Sequence, residues 1–466
     1  MTALPAQPLS PLDGRYREQT TALGEYLSEA GLNRARLHVE VEWLLYVTEH
    51  GLFGSAPLSD TERDQLRQLV TEFSAETVAD LARIEARTRH DVKAVELYIR
   101  AALPGFGLDR IAELVHICCT SEDINNLAYA LTIQDAVTRV WLPQAQHLCA
   151  TIAELAESTR TIPMLAHTHG QPATPTTVGK ELAVTVHRLQ RQLGRVEKAE
   201  YLGKFNGATG TYAAHVAADP DADWPTHSRS FVEGLGLSWN PLTTQIESHD
   251  WQADLYADVM HAGRILHNFC TDMWTYISLD YFHQQAVAGE VGSSTMPHKV
   301  NPIRFENAEA NLEISAALFS VLAETLVTSR MQRDLTDSTT QRNIGLAFGH
   351  SLLAIDNIER GLAVVAVNAD RLAADLDANW EVLAEAIQTV IRAEAAAGRS
   401  QITDPYSLLK ELTRGHRIGH DDVAAFISTL DVGEEAKARL LSLTPATYIG
   451  LASTLVDYLD GDPDND

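Results

Sequence analysis

A chain of 466 residues, of which 45% are apolar and 21% charged, has the composition of a globular protein and is not a disordered one. Its formal net charge of −27 argues against binding to nucleic acid or to acidic membrane surfaces, because both need a positive field. No segment approaches the roughly 18 apolar residues of a membrane helix, and the N-terminus shows no pattern of a secretory signal.

Cysteine and lysine are both scarce in this chain. The four cysteines, at positions 118, 119, 149 and 270, lack CxxC spacing, so we expect buried free thiols in the reducing cytoplasm. Lysine occurs seven times, and arginine supplies the other 29 positive charges. A lysine inside a loop rich in glycine and serine, such as Lys299, therefore stands out.

Apolar residues recur with helical spacing through most of the chain, and four long amphipathic helices are predicted. In chain order, the first begins after the TSED cluster at 120–123, whose short polar side chains suit a helix N-cap. The second opens after Pro175 and stops at Gly203, the third runs from Trp251 over about seven turns, and the fourth covers about 305–330. Few runs alternate with a period of two, so we predict an all-α fold with an elongated central helical bundle.

The helical pattern also suggests a division into three domains. We predict an N-terminal helical domain at 1–112, the central long-helix bundle at 113–365 and a C-terminal helical domain at 366–466. Apolar faces on such long helices usually meet other subunits, so a homo-oligomer is expected.

Three short polar segments in the first part of the chain are ambiguous. Arg15-Tyr16 in PLDGRY and His90-Asp91 in TRHDV are weak signals when taken singly. Thr120-Ser121 in CCTSEDINN lies at a predicted helix start, where hydroxyl and amide groups could bind an anion. Taken alone, this segment is more simply an N-cap.

The segment LAHTHGQPATP, residues 165–175, contains two histidines. His167 and His169 are separated by one residue, Thr168. Gly170 is predicted to end the secondary-structure element that contains them. A metal site is one interpretation, but no nearby Cys or Glu offers a third ligand. A buried structural histidine is a second interpretation, and a catalytic acid/base is favoured once the other segments are added.

The loop AVAGEVGSSTMPHKVNP, residues 286–302, carries the densest set of donors. Glycines give it freedom, hydroxyls lie at 293–295, and two prolines bracket Lys299 and Asn301. Such a loop can close over an anion and present several donors to it. A surface linker is the alternative, although linkers rarely place an isolated Lys and Asn between two prolines.

The segment SRMQRDLTDSTTQRN, residues 329–343, brings Arg333, Ser338 and Arg342 close together in sequence. A solvated helix connection is one interpretation, and recognition of a phosphate or carboxylate by guanidinium groups is the other. No P-loop, no GxGxxG after a strand and no GxSxG elbow occurs in the sequence.

Taken together, these segments resemble the fumarase/aspartase superfamily, because GSSTMPHKVNP is very similar to its signature loop. RHDVKAVE, TSEDINN, THGQPATP, NGATGTY, TTQIESHD and QRDLTDST are similar, within it, to the bacterial type of the adenylosuccinate lyase family. The resemblance extends from 11–16 to 409–415, nearly the whole chain.

This resemblance implies a carbon–nitrogen lyase of purine nucleotide biosynthesis that uses no metal or other cofactor. Its expected reactions are release of fumarate from adenylosuccinate, giving AMP, and from succinyl-aminoimidazole carboxamide ribotide (SAICAR), giving AICAR. It also implies a homotetramer with a helical core, in which three subunits contribute residues to each active site.

The resemblance further implies roles for individual residues. Ser293 is the expected base and His169 the expected acid. The expected ligands of the doubly charged aci-carboxylate are Lys299, Asn301, Thr120 and Ser121. The expected ligands of the phosphate and ribose are Arg15, Tyr16, Arg333, Ser338 and Arg342. Gln245 is expected to hold the succinyl part. His90 is expected to contact the substrate and to help orient the acid, and Glu306 to orient His169. Further expected substrate-binding residues are Arg89, Asp91, Ser294, Val300, Asn307 and Thr339.

Two rival functions remain at this point. Another fumarate-releasing enzyme, such as an argininosuccinate lyase or a fumarase-like hydratase, shares the signature loop, but the arginines of QRDLTDSTTQR favour a phosphate-bearing substrate. A helical scaffold that has lost activity would need damage at a catalytic position, yet Ser293, His169, Lys299 and Asn301 are all present. A substrate with several negative charges requires a local positive site inside an acidic exterior.

Overall fold

A computed structural model describes residues 8–285, 296, 299–413 and 418–461 of the chain. Helices hold 67% of the residues and the strands are few and short, which confirms the predicted all-α class. The chain divides into two compact units, one made of 1–145, 192–264 and 308–356, the other of 146–191, 265–307 and 357–466.

The helices account for most of the described chain. They are α1 Arg17–Leu27, α2 Glu29–Glu49, α3 Asp60–Thr71, α4 Ala75–Thr88, α5 Asp91–Ala102, α6 Ser121–Ala136, α7 Leu142–Ser158, α8 Val178–Glu197, α9 Ala213–Ala218, α10 Trp224–Gly234, α11 Asp250–Ser278, α12 Ile303–Leu326, α13 Thr336–Gln341, α14 Ile344–Leu362, α15 Ala369–Asp377, α16 Ala384–Ala396, α17 Pro405–Thr413, α18 His420–Thr429 and α19 Glu434–Leu441. Short 3₁₀ turns lie at Leu52–Gly54, Leu103–Phe106, Asp109–Leu114, Trp380–Leu383 and Thr454–Asp460, and a π-helical turn at Val137–Trp141 joins α6 to α7.

The strands form three two-stranded pairs. They are β1 Pro163–Thr168, β2 Gln171–Thr177, β3 Leu202–Gly203, β4 Ser238–Trp239, β5 Phe282–Gln284 and β6 Val365–Val367. β1 pairs with β2 and β5 with β6 in antiparallel fashion, whereas β3 and β4 are parallel.

The four long helices predicted from periodicity are all observed, as α6, α8, α11 and α12. The start of α6 differs in detail, because the helix begins at Ser121 inside the TSED cluster and Thr120 is its N-cap residue. The backbone N–H of Thr120 donates to Asp123 Oδ2 at 2.8 Å, so the cluster caps the helix from within.

The first unit contains an apolar core built on α2, whose Leu37, Val41 and Leu44 are fully buried. They pack with apolar residues of α3, α4 and α5 and of the following 3₁₀ turns. Ser28 caps α2 and accepts from the backbone N–H of Gly31 at 3.1 Å. Burial of apolar surface of this kind is the main stabilising term of such a core.

The second unit has a separate core in the C-terminal part of the chain. There Trp380, Leu383, Ile387 and Ile391 pack with apolar residues of α17, α18 and α19. The boundaries between the units fall inside α7, α8, α11, α12 and α14. The division at 112 and 365 stays a prediction.

The composition predicted that the chain has no membrane helix and that its four cysteines are buried. Among the helices of the described ranges, none is long and apolar enough to cross a membrane. Cys149 and Cys270 are buried as predicted, but Cys118 and Cys119 are only half-buried. The expectation of burial is therefore wrong for Cys118 and Cys119. These two residues lie in the loop before α6 and not on a packed helix face.

Candidate active site

The first unit gathers several of the predicted substrate-binding residues around Arg342, which follows α13. Its Nη1 donates to the carbonyl and the Oγ of Ser338, each at 3.1 Å. Its Nη2 donates to Asp91 Oδ2 at 3.4 Å, and its Nε donates to Glu29 Oε1 at 2.9 Å. Asp91 and the Ser338–Arg342 pair, which the sequence placed in two separate motifs, therefore meet at the Arg342 guanidinium.

Behind Asp91 lies a second guanidinium, Arg36 on α2, which is 1% exposed. Arg36 Nη2 donates to Asp91 Oδ2 at 2.8 Å, and Arg36 Nε donates to Asn125 Oδ1 at 2.8 Å. Burial opposes ionisation of Asp91, but Arg36, the backbone N–H of Val92 and, more weakly, Arg342 outweigh it and lower the pKa of this carboxyl below its ordinary value. Asp91 is thus a carboxylate shared by two arginines.

The same hydrogen-bond chain continues to Arg333. Asn125 Nδ2 donates to Glu122 Oε1 at 2.7 Å, and Arg333 Nη2 donates to the same oxygen at 2.9 Å. Arg333 Nη1 donates to Gln245 Oε1 at 3.3 Å, while its Nε is buried and has no partner among the described residues. We call the connected set the arginine network, and its members are Glu29, Arg36, Asp91, Glu122, Asn125, Gln245, Arg333, Ser338 and Arg342.

The start of α6, which carries Thr120 and Ser121, rests on a buried ion pair. Lys204 and Asp123 are both 0% exposed, and Lys204 Nζ lies 2.9 Å from Asp123 Oδ1. Asp123 also accepts from the backbone N–H groups of Asn206 and Gly207 at 3.0 to 3.2 Å. Gly207 has φ +83°, a conformation in which glycine is unstrained. The NGATG segment is thereby fastened to the start of the helix.

His90 is the N-cap residue of α5 and lies against Ser121. Its Nδ1 accepts from the backbone N–H of Lys93 at 3.2 Å, so the neutral ring carries its proton on Nε2. Nε2 lies 3.4 Å from Ser121 Oγ, close enough to donate to it. Arg89, the C-cap residue of α4, is exposed at φ +57°. His90 and Ser121 are therefore neighbours, and their contact with the substrate stays a prediction.

The other predicted residues of this unit lie nearer the surface. The exposed Arg15 places its guanidinium carbon 5.7 Å from the ring centroid of Tyr16, the N-cap residue of α1. Thr339 is exposed in α13, and its carbonyl accepts from Asn343 Nδ2 at 3.3 Å. No contact of Arg15, Tyr16 or Thr339 described here tests its assignment to the phosphate or ribose.

In the second unit, His169 lies at the tip of a β-hairpin. Thr168 of β1 pairs with Gln171 of β2, so His169 and Gly170 are the two turn residues. Both have positive φ, +53° and +73°, as a type I′ turn requires. The sequence predicted that Gly170 breaks the element; it instead completes the turn that reverses the chain. His169 is exposed there and kept off the packed surface by the hairpin.

The described part of the signature loop comprises residue 296 and residues 299–302. Ser293 and Ser294 lie outside the described residues, and Lys299 is exposed. The carbonyl of Val300 accepts from Gln284 Nε2 at 2.9 Å. The carbonyl of Asn301 accepts from the N–H of Ile303 at 2.8 Å.

Two further predicted residues lie in the first turns of α12. Glu306 Oε1 accepts from Trp274 Nε1 at 3.1 Å, so its carboxylate is engaged by an indole. Asn307 is half-buried on the same helix. The proposed effect of Glu306 on His169 stays a prediction.

Several site residues were missed in the sequence although signals for them exist. Arg36 and Glu40 are charged residues four apart within an apolar helical stretch, which places both on the buried side of α2. Lys204 is one of only seven lysines, and the scarcity that drew attention to Lys299 applies to it equally. Glu122 carries no separate sequence signal, because it lies inside the N-cap cluster at 120–123. Within the described ranges, no group of three or more His, Cys, Asp or Glu could hold a metal ion.

The architecture of the chain is similar to that of solved lyase-fold enzymes. A fumarate lyase from Mesorhizobium sp. BNC1 aligns with a TM-score of 0.74 at 19% identity, covering 95% of this chain and 98% of the other. The 3-carboxy-cis,cis-muconate lactonizing enzyme from Pseudomonas putida aligns with a TM-score of 0.72 at 20% identity, covering 94% and 96%. These two likenesses show that the chain has the fumarase/aspartase-like helical fold.

Sequence comparison narrows this class. The lyase family matches residues 14–314, and the family described as adenylosuccinate lyase C-terminal matches residues 329–449. The adenylosuccinate lyase of Escherichia coli strain K12 is 48% identical over 455 residues, 97% of this chain and 98% of its own length. Those of Haemophilus influenzae and of Legionella pneumophila strain Corby are each 47% identical, covering 97% and 98% of this chain and 98% and 99% of their own length. The chain belongs to the adenylosuccinate lyase family.

Proposed function

We propose that this chain catalyses β-elimination of fumarate from adenylosuccinate, giving AMP, and from SAICAR, giving AICAR. The observation that carries the substrate class is the arginine network. In a chain of net charge −27, it concentrates three guanidinium groups in one hydrogen-bonded set. A preorganised cluster of this kind suits a substrate that carries a phosphate and carboxylates.

In the proposed mechanism, Ser293 removes a proton, the β-hydrogen, from the carbon next to a carboxylate of the succinyl group. The electron pair of that C–H bond moves into the adjacent carboxylate and leaves a doubly charged aci-carboxylate intermediate. As this intermediate collapses, the pair forms the new double bond, the C–N bond breaks, and His169 protonates the leaving nitrogen. A free serine hydroxyl is a weak base, so the closed loop must activate it, with Lys299 and amide donors stabilising the alkoxide. Lys299, Asn301, Thr120 and Ser121 stabilise the negative charge on the intermediate.

The Arg333 end and the Arg342 end of the arginine network support different roles. Arg333 donates to Gln245 at 3.3 Å, so the two side chains can together contact the succinyl carboxylates and the phosphate. Arg342 donates to Ser338 at 3.1 Å and orders the hydroxyl that we assign to the phosphate. His90 at 3.4 Å from Ser121 supports joint contact of these two residues with the substrate.

The assembly and compartment belong to the same proposal. A homotetramer in which neighbouring subunits complete each active site is supported by the exposed position of His169 on its hairpin. The acidic surface supports a cytoplasmic enzyme that binds neither nucleic acid nor membranes.

The experiment that tests the proposal is an ultraviolet assay of the purified protein with adenylosuccinate, SAICAR, argininosuccinate and malate offered separately. We expect fumarate from adenylosuccinate and SAICAR alone. Turnover of argininosuccinate or malate instead would keep the elimination chemistry and overturn the phosphate assignment. A folded protein that turns over none of the four would support the rival inactive scaffold.

A further inference from the structure

A cavity of about 360 Å³ lies in the first unit between α1, α2, α6 and the start of α14. Its walls include the apolar side chains of Leu23, Leu27, Leu32 and Ile344. Among the described residues that line it, Arg342 alone was predicted as a substrate ligand. Its volume lies within the range of small-molecule pockets in proteins, about 300–1,000 Å³.

One polar group in the cavity wall lacks a partner. Tyr129 on α6 is 9% exposed, and its hydroxyl is buried without a hydrogen-bond partner among the described residues. Burial raises the pKa of this phenol to about 12, so at neutral pH it is protonated and can donate. A buried donor left unpaired costs free energy, which a ligand that accepts from it recovers.

The charges around the cavity disfavour an anionic ligand. Asp13 and Glu29 contribute carboxylates to its lining. Arg342 is the cation in the same wall, and its Nε donates to Glu29 at 2.9 Å. Two carboxylates against one guanidinium give the described lining a net negative charge, which disfavours an anion within the cavity itself.

We propose that this cavity is a second binding site, for a small uncharged molecule with an apolar ring-sized body and one acceptor oxygen that takes the hydrogen bond of Tyr129. Shape and apolar walls hold the body, and the Tyr129 hydroxyl orients it. The site contains neither of the proposed proton-transfer residues, and Glu29 and Arg342 in its wall also belong to the arginine network.

The probe for this site is acetophenone, a ring with one carbonyl oxygen. Cumene, which replaces the carbonyl by an isopropyl carbon, and benzoate, which carries a charge, are its matched controls. Dissociation constants are measured by ligand-observed NMR on the full-length protein. We expect acetophenone to bind roughly five- to tenfold more tightly than either control, the effect of about one hydrogen bond. Equal binding of all three, tighter binding of benzoate, or binding of none would overturn the proposal.

Two kinds of variant locate the binding. Tyr129→Phe removes the hydroxyl and leaves the ring, so acetophenone should lose about five- to tenfold in affinity while cumene is unchanged. Gly24 on α1 lines the cavity, and a Cβ there would meet nothing within 4 Å, so Gly24→Leu should fill the mouth. Leucine also favours a helix over glycine.

The matched control for filling is Gly194→Leu on α8, where a Cβ likewise meets nothing within 4 Å. We expect Gly24→Leu to abolish acetophenone binding and Gly194→Leu to leave it intact. Binding that survives in Gly24→Leu, or an acetophenone affinity unchanged in Tyr129→Phe, would refute the assignment. Because binding is measured without turnover, failure of this site is distinguishable from failure of the proposed function.

Discussion

The arginine network and the His169 hairpin hold polar residues in opposite ways. In the network, Arg36 is buried and three of its nitrogens have side-chain acceptors, Asn33, Asp91 and Asn125. His169 is exposed at a turn whose geometry is set by backbone torsions. Side chains of the same chain hold Arg36 in place, whereas the hairpin fixes the backbone of His169 and leaves its imidazole exposed. A side chain presented in this way depends on what comes to cover it, which is why the proposed tetramer matters for His169 and less for Arg333.

The largest expected effect concerns the two proposed proton-transfer residues. Ser293→Ala should retain substrate binding and lose several orders of magnitude in kcat, because the base is gone. His169→Asn should lower kcat by roughly 10²- to 10⁴-fold, because the acid is gone, while asparagine still accepts the positive φ of a type I′ turn.

Steady-state kinetics with adenylosuccinate, with circular dichroism as a check of folding, measure both effects. The control is His167→Asn on the neighbouring strand residue, which should remain close to wild type. Near-normal turnover in Ser293→Ala would remove serine as the base. Equal losses in the two histidine variants would mean that the hairpin as a whole, and not the acid at its tip, is needed.

The second effect tests whether the buried Lys204–Asp123 ion pair anchors the start of α6. Lys204→Met leaves Asp123 buried without its counter-ion, so we expect a loss of roughly 3–5 kcal/mol in the free energy of unfolding. The exposed pair of Arg139 and Asp135 is the control, and Arg139→Ala should leave the free energy of unfolding nearly unchanged, because solvent screens a surface ion pair. Urea denaturation followed by circular dichroism measures both. Similar small losses in the two variants would show that the buried pair does not anchor the start of α6.

The third effect separates binding from chemistry. Arg333→Ala or Arg342→Ala should raise KM more than it lowers kcat, with KM about tenfold or more above wild type, because a charged hydrogen-bond donor is lost. Arg333→Lys should also raise KM, since a single ammonium cannot reproduce the fork that reaches both Glu122 and Gln245. Arg330→Ala is the control, because Arg330 has an 81% exposed side chain paired with Asp334. A fall in kcat with unchanged KM would contradict the binding role.

The smallest expected effect is a pH dependence of stability. His116 Nδ1 lies 2.6 Å from the fully buried Glu40 Oε1. Burial opposes protonation of this imidazole, but Glu40 and, more weakly, Glu96 and Asp123 outweigh it and raise the pKa of His116 above its ordinary 6.5. A raised pKa in the folded state stabilises the protein below 6.5, and that stabilisation is lost as the pH rises through the folded value.

The stability difference between wild type and His116→Gln should therefore shrink as the pH rises from 6 to 9, in urea titrations at each pH. A difference that grows with pH would contradict the sign of this shift.

The sequence predicted the helical class and the four long helices because apolar spacing at i, i+3 and i+4 is a local property that each segment carries by itself. It also predicted Asp91, Ser338, Arg342, Gln245 and Arg333 as site residues, since their motifs resemble a known family. It did not predict the hairpin at 163–177, because the turn is His-Gly and not the usual Asn-Gly, and two prolines hide the strand pattern.

Only the tertiary structure decided which side chains meet. Arg36 and Asn125 are 89 positions apart, and Glu122 and Arg333 are 211 apart, yet each pair shares a hydrogen bond. Such contacts depend on how helices pack, which periodicity does not encode. The sequence alone thus determined the helical class, the four long helices and the family, whereas packing determined the arginine network, the buried Lys204–Asp123 pair and the cavity beside Tyr129. The physical reason is that burial and pairing of charges are set by distant segments meeting, not by neighbours along the chain.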